Sequence, residues 1–316
     1  MNYLEDESMD QLQIKILKKI IEEGREVSPR GMPNKELTGF TFKLTNPRAR
    51  IIYNPARNFN VRFAIGELLW YLSGSNKCEM ITHYNKRYPN FSDDGEILNG
   101  AYGYRIFTPL ENGSNQWEEV KGLLKRDKDT RQAILNIHMP KDLFSRSKDI
   151  PCTCYLQFLI RDNKLDCIGN MRSNDIIWGT PYDVFNFTML QEIMANELGL
   201  ELGTYTHFAG SVHLYDNHKD LAHSIINQGN FPSSEMPSMP ENPWRYIKLL
   251  IDNEKLVRKD KNYKCKIDSS YWNDFLGILK IQSAIRENKQ DIASNYYSNA
   301  PSFFKLVLPN LKKTVV

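Results

Sequence analysis

The chain has 316 residues, 41% hydrophobic and 25% charged, an ordinary globular composition with length for one large domain or two small ones. Its 41 basic and 38 acidic residues leave a formal charge of +3, too balanced for the clustered basic face of a nucleic-acid binder. No direct DNA binding is expected, and anion recognition must rest on a few placed arginines.

The opening stretch "MNYLEDESMDQLQIKILKKIIEEG" is acidic at its start and lacks the charged and apolar regions of a signal peptide. No apolar run approaches the roughly 20 residues of a membrane span. Five scattered cysteines, Cys78, Cys152, Cys154, Cys167 and Cys265, fit a reducing compartment better than a disulfide framework. A cytoplasmic protein with no membrane partner is expected.

In chain order, residues 9–24 space Leu and Ile as an amphipathic helix that ends at Gly24. "GFTFKLTNPRARIIYNP" reads as two short strands, and "NFNVRFAIGELLWYLSGS" as a mostly buried helix stopped at Ser73-Gly74. Residues 75–113 read as loop-rich, with "NGAYGY" as turn material, and "NQWEEVKGLLKRDKD" as an exposed helix. "RQAILNIHM" alternates as a strand. "CTCYLQFLIRDNKLDCIGNMRS" predicts a hairpin turning at residues 161–164. "PYDVFNFTMLQEIMANELGL" predicts a long helix with Pro181 in its first turn, and "GTYTHFAGSVHLYDNH" a strand and loop. From residue 224 the chain becomes proline-punctuated and then helical and lysine-rich. The expected division is a catalytic domain over 1–223 and a mostly helical extension over 224–316, an appendage on an α/β body.

Several residues carry candidate chemistry. Cys152 follows a proline at a strand start; a lone cysteine is more often a buried small hydrophobe than a nucleophile. The Cys152-x-Cys154 pair has no second pair or His cluster at ligand spacing, so no metal is expected, although alternation points both to one face. Arg30, Arg131 and Arg172 lie at element edges, where arginines favour a nearby thiolate and grip phosphate, or serve as solvated charges. Glu67 lies inside an apolar helix and becomes an acid–base candidate if buried. His213 and Tyr215, two apart, share a strand face. Asp183 stands at a helix start, where it could simply complement the dipole.

The ordered blocks "GELLWYLSG", "NGAYGYR", "DTRQAIL", "PCTCYLQF", "MRSNDIIWGTPYD" and "AGSVHLYDNH" together resemble the thymidylate synthase and deoxycytidylate hydroxymethylase superfamily over about residues 10–223. "QFLIRDNKL" and "NMRSND" look closer to the hydroxymethylase. The resemblance implies an α/β (α+β) fold, a mixed sheet flanked by helices and packed at a homodimer interface. It implies that Cys152 adds to C6 of a pyrimidine nucleoside 5′-monophosphate, making C5 nucleophilic toward 5,10-methylenetetrahydrofolate. Arg172 and Arg30 match phosphate ligands, and Arg131 one lent across the dimer. Glu67 matches the proton-managing glutamate, and Asp175 the residue whose amide meets the base carbonyl. His213 and Tyr215 match the pair on the sugar 3′-hydroxyl, and Tyr102 a tyrosine behind the nucleophile. Ser173 is also serine in the deoxynucleotide enzymes, which favours a deoxy sugar.

Asp183 falls where thymidylate synthases carry an asparagine that pairs with uracil. Cytosine reverses that edge, and a carboxyl group suits it, since it can accept from the N4 amine and share a proton with N3. The synthase's shielding tryptophan falls on Tyr88, and its C-terminal lid has no evident match in "VLPNLKKTVV"; both favour capture of water, and so hydroxymethylation, over methylation. Gln132 departs from the family, which usually has arginine after the position of Arg131. The expected function is dCMP 5-hydroxymethylation. The alternatives are dCMP methylation, CMP hydroxymethylation, thymidylate synthesis from dUMP, and a non-enzymatic nucleotide-binding homologue.

Overall fold

The computed structural model describes residues 2–260 and 265–308. The first half of the chain carries β1 (Tyr3–Asp6), α1 (Met9–Glu23), β2 (Arg25–Val27), β3 (Asn34–Leu44), α2 (Val61–Leu72), α3 (Cys78–Tyr84), α4 (Tyr102–Phe107), α5 (Gln116–Arg126) and β4 (Ile134–Asn136). The second half carries β5 (Thr153–Arg161), β6 (Lys164–Met171), β7 (Asn174–Asp175), α6 (Thr180–Leu198), β8 (Glu201–Tyr215), α7 (Lys219–Asn227), α8 (Pro243–Lys259), α9 (Ser270–Arg286), α10 (Gln290–Asn299) and α11 (Ser302–Lys305).

One mixed sheet runs in the order β1-β3-β8-β6-β5-β4, with β2 beside β3 and β7 beside β8. The β5–β6 hairpin closes where the alternation predicts. Arg161 faces Lys164, and Asp162 and Asn163 both take positive φ (50° and 59°), the turn whose twist matches its strands. β6 and β8 are parallel, so the chain must cross over between them, and α6 is that crossover. Along β6 and most of β5 and β8 every second side chain is buried. The opposite face is half-exposed and carries Tyr155, Leu159, Ile168 and Phe208.

α1 forms as its periodicity predicts. The Ser8 hydroxyl accepts from the Gln11 amide at 3.3 Å, and Leu12, Ile16, Leu17 and Ile20 are its buried stripe. Other expectations need correction. Of the two strands expected near 40–55, only β3 exists. The Asp10 carboxylate takes the Tyr53 and Asn54 amides at 2.8 and 2.9 Å, bonds a ladder would have needed. The turn expected at "NGAYGY" runs into α4, because Gly103 lies so close to α2 that a Cβ would stand 2.0 Å from the Tyr71 carbonyl oxygen. α5 is not simply exposed; Trp117, Val120 and Leu124 are buried.

The proline-punctuated stretch is tied down rather than linker-like. The Met236 amide donates to the Arg48 carbonyl at 2.9 Å and the Met239 amide to Glu192 at 3.0 Å, with both side chains buried. In α9, Trp272 and Phe275 are fully buried, and the last helices join the same hydrophobic cluster as α1, α2 and α6.

Candidate active site

Cys152 sits on the approach to β5, half-buried, one residue before the strand begins. A bulge between Thr153 and Tyr155 then breaks the alternation at Cys154. The Cys154 carbonyl instead accepts from the Ile137 and His138 amides at 2.9 and 3.0 Å.

Arg172 is stitched to the Cys152 loop from the end of β6. Its amide donates to the Cys152 carbonyl at 2.9 Å, its Nε to the Pro151 carbonyl at 2.9 Å and its Nη2 to the Ile150 carbonyl at 3.0 Å. Close approach of β8 to this turn requires Gly210, where a Cβ would meet the Arg172 carbonyl oxygen at 2.9 Å. Arg30 comes from the other side, in a turn where it adopts a left-handed backbone (φ 55°) unusual for a side-chain-bearing residue. It is exposed, and its charge reaches both Cys152 and Tyr215.

These arginines act on the thiol in the expected sense but do not prevail. Burial pushes the Cys152 thiol up; Arg172 and Arg30 pull it down, while Asp183 and Asp149 add to the rise. Behind Cys152, the Tyr102 hydroxyl accepts from the Thr153 amide at 3.3 Å, and its ring faces Tyr71 and Phe187.

β7 places the sugar-side candidates. Asp175 pairs with His213 in register, and the Ile176 amide donates to the His213 carbonyl at 3.0 Å. The His213 and Tyr215 rings meet edge to face with centroids 4.9 Å apart. Burial pushes His213 below the usual imidazole range, with Asp175 pulling the other way. The Asp175 carboxylate takes the Ile177 and Trp178 amides at 2.7 and 3.3 Å. Ser173 is half-buried between Arg172 and Asn174.

Two carboxyl groups lie close enough for the charge of one to act on the other. Glu67, on α2, is buried, and burial pushes its carboxyl up to about 7 although two donors hold it down. Those donors are the Tyr88 hydroxyl, on Oε1, and Asn186 Nδ2, on Oε2 at 2.8 Å. Asp183, in the first turn of α6, is pushed up to about 8 by burial and then by the charge of Glu67. Its Oδ2 accepts from Asn174 Nδ2 at 2.8 Å. Such a coupled pair is a usual device for dividing acid and base roles.

Tyr88, which stands where the resemblance places the shielding tryptophan, bonds through its hydroxyl to the proton-managing candidate. Its ring packs against Phe63, Trp70 and Phe91. Among the described residues, Arg131 makes no hydrogen bond or ion pair with these groups. It is exposed ahead of β4, as is Gln132, and its guanidinium has no hydrogen-bond or ion-pair partner among the described residues. The sequence reading missed Asn174, Thr180 and Asn186. Asn186 stands three residues beyond Asp183 on the same helix face, a spacing that could have found it.

This constellation can be set beside known proteins. The family model described as thymidylate synthase matches residues 12–256. The chain belongs to the thymidylate synthase family. Members of this family are folate-dependent one-carbon transferases that take a pyrimidine nucleotide and use methylenetetrahydrofolate as co-substrate. The mixed sheet with flanking helices is consistent with the thymidylate synthase fold.

Three curated relatives are phage proteins named deoxyuridylate hydroxymethyltransferase. That of Bacillus phage SP01 is 31% identical over 298 residues, covering 88% of this chain and 74% of the relative. That of Pseudomonas phage M6 is 32% identical over 173 residues, covering 54% and 49%. That of Delftia phage PhiW-14 is 31% identical over 203 residues, covering 60% and 56%. The matched region thus spans about half the length of the latter two. No described helix is long and apolar enough to cross a membrane.

Proposed function

We propose that this protein transfers the one-carbon unit of 5,10-methylenetetrahydrofolate to C5 of dCMP and releases 5-hydroxymethyl-dCMP. The observation that carries this reading is Asp183, a carboxyl group close enough to Cys152 for its charge to act on the thiol, and held largely protonated at neutral pH. A neutral carboxyl offers one acceptor and one donor. The acceptor takes the cytosine N4 amine and the donor meets N3. A buried mismatch costs roughly 1–3 kcal/mol, so such an edge discriminates between bases.

The other roles follow from position. Cys152, as thiolate, adds to C6; Arg172 and Arg30 hold the 5′-phosphate; His213 and Tyr215 take the 3′-hydroxyl. The Asp175 amide meets the base carbonyl, and Tyr102 backs the nucleophile. Glu67 moves protons and water near the base. Its bond to the Tyr88 hydroxyl supports water capture at the one-carbon centre, as do the relatives' names as hydroxymethyltransferases. The co-substrate supplies the carbon, and the exposed indole of Trp178, beside Arg57 and bonded to His218, offers an aromatic surface for its ring. The synthase-type lid would fall in the tail; residues 309–316 lie outside the described residues.

The dimer belongs to this proposal. The half-exposed sheet face, and Arg131 with no side-chain partner among the described residues, suit a second copy that receives the arginine at its phosphate. The division into residues 1–223 as catalytic part and 224–316 as a bracing extension belongs to it as well.

A second reading is dUMP hydroxymethylation, favoured by the relatives' printed names. A neutral carboxyl can meet uracil too, with its donor on O4 and its acceptor on N3–H. One assay separates the two: incubation with methylenetetrahydrofolate and either dCMP or dUMP, read by product mass and by dihydrofolate absorbance. Gain of CH2O on dCMP without dihydrofolate is the expected result. Reaction with dUMP alone overturns the cytosine reading, and a gain of CH2 with dihydrofolate overturns hydroxymethylation.

A further inference from the structure

A neutral carboxyl group distinguishes cytosine from uracil only if its proton is fixed on one of two chemically equivalent oxygens. Two buried residues next to Asp183 can do this. Asn174 is 3% exposed and Thr180 fully buried. Asn174 Nδ2 donates to Asp183 Oδ2 at 2.8 Å, and the Thr180 hydroxyl donates to Asn174 Oδ1. While that holds, Oδ2 is the acceptor oxygen and the proton of Asp183 belongs on Oδ1. The Thr180 hydroxyl has a second acceptor, the Asp175 carbonyl at 3.0 Å. If its proton turned there, the Asn174 amide could rotate, donate to Thr180 Oγ1, and accept the Asp183 proton from Oδ2. Asp183 would then spend its one proton on Asn174 and face the base with acceptors only, which favours neither cytosine nor uracil. Gly179 leaves room for the pair: a Cβ there would stand 3.1 Å from Asn174 Nδ2 and 3.4 Å from Asp183 Oδ2.

We propose that Asn174 and Thr180 are positioning residues that fix which oxygen of Asp183 carries the proton, and so set the preference between cytosine and uracil nucleotides. The inference rests on Asp183 reading the base.

The test is the ratio of kcat/KM for dCMP to that for dUMP in the full-length protein and in Thr180→Val, Thr180→Ser, Asn174→Ala and Asp183→Asn, with thermal midpoints alongside. Thr180→Val, close to isosteric, is expected to collapse the ratio toward one by roughly tenfold or more, and Thr180→Ser to restore it. Asn174→Ala should collapse it as well. It should also move the alkaline limb of kcat/KM upward, because a donor that holds the carboxyl down is lost. An unchanged ratio in both Thr180→Val and Asn174→Ala, or an equal loss on both nucleotides, overturns the relay. If Thr180→Val does not fold, Asn174→Ala and its pH profile decide alone. Asp183→Asn tests the underlying reading separately, since an unmoved ratio there removes Asp183 as the base reader. A wild type that prefers dUMP sinks only the cytosine assignment, and the relay is then judged by the variants.

Discussion

At Asp183 the requirements of recognition and of stability oppose each other. Its carboxyl is raised from the ordinary 3.8 to about 8, so between those values the unfolded chain has released a proton that the folded chain keeps. Stability therefore falls as pH rises through that window. Asp183→Asn should remove this loss and raise stability at pH 8 by on the order of 2 kcal/mol, seen as a higher urea midpoint, while lowering activity on dCMP. In the wild type, kcat/KM for dCMP should decline above about pH 8, as the carboxyl gives up the proton needed at N3. Cys152→Ala should abolish turnover and spare nucleotide binding measured by calorimetry; a protein that only binds nucleotide would keep its task unchanged. The sequence singles out Cys152, Arg172 and Asp183 as candidates because their residue types stand in order along short blocks. The net rise of the Cys152 thiol is not legible there, because burial depends on chain segments remote in sequence.

Among the elements, the β5–β6 hairpin was legible because alternation and turn chemistry are both local. Asn163→Ala should cost on the order of 1 kcal/mol in thermal unfolding, since alanine adopts positive φ poorly, and Asn163→Gly should be tolerated. α4 was hidden, because its glycine marks contact with α2 rather than a turn. Gly103→Ala forces a methyl group onto the Tyr71 backbone, and should lower the thermal midpoint and disturb Tyr102, its neighbour in the site. The missing strand near 51–54 has the same origin. Its extended pattern is real, yet Asp10 of α1 claims its amides.

Across the whole molecule, the terminal helices reach back toward the site. Gln282 and Arg286 of α9 donate to the His83 carbonyl at 3.1 and 3.0 Å, and Glu254 of α8 accepts from the Tyr84 hydroxyl at 2.9 Å. These bonds hold the end of α3, a few residues before Tyr88. Phe275→Ala, in the centre of that packing, should destabilise the fold by roughly 3–5 kcal/mol in denaturant unfolding. Ile168→Asp, on the half-exposed sheet face, should leave a folded monomer by sedimentation and reduce turnover, because each proposed site then lacks its partner's arginine.

By itself the sequence determined the α/β class, the long helices and the hairpin, and it singled out the cysteine, arginines and carboxyl groups of the proposed site. Those depend on periodicity, turn residues and short blocks, all encoded within a few positions. Only the tertiary structure decided how those groups act. It put Tyr88 and Asn186 on Glu67, placed the Asn174–Thr180 pair behind Asp183, and packed the terminal helices into the common core. Burial and hydrogen-bond partnership arise between segments far apart in the chain, and they set protonation and orientation, which no local pattern carries.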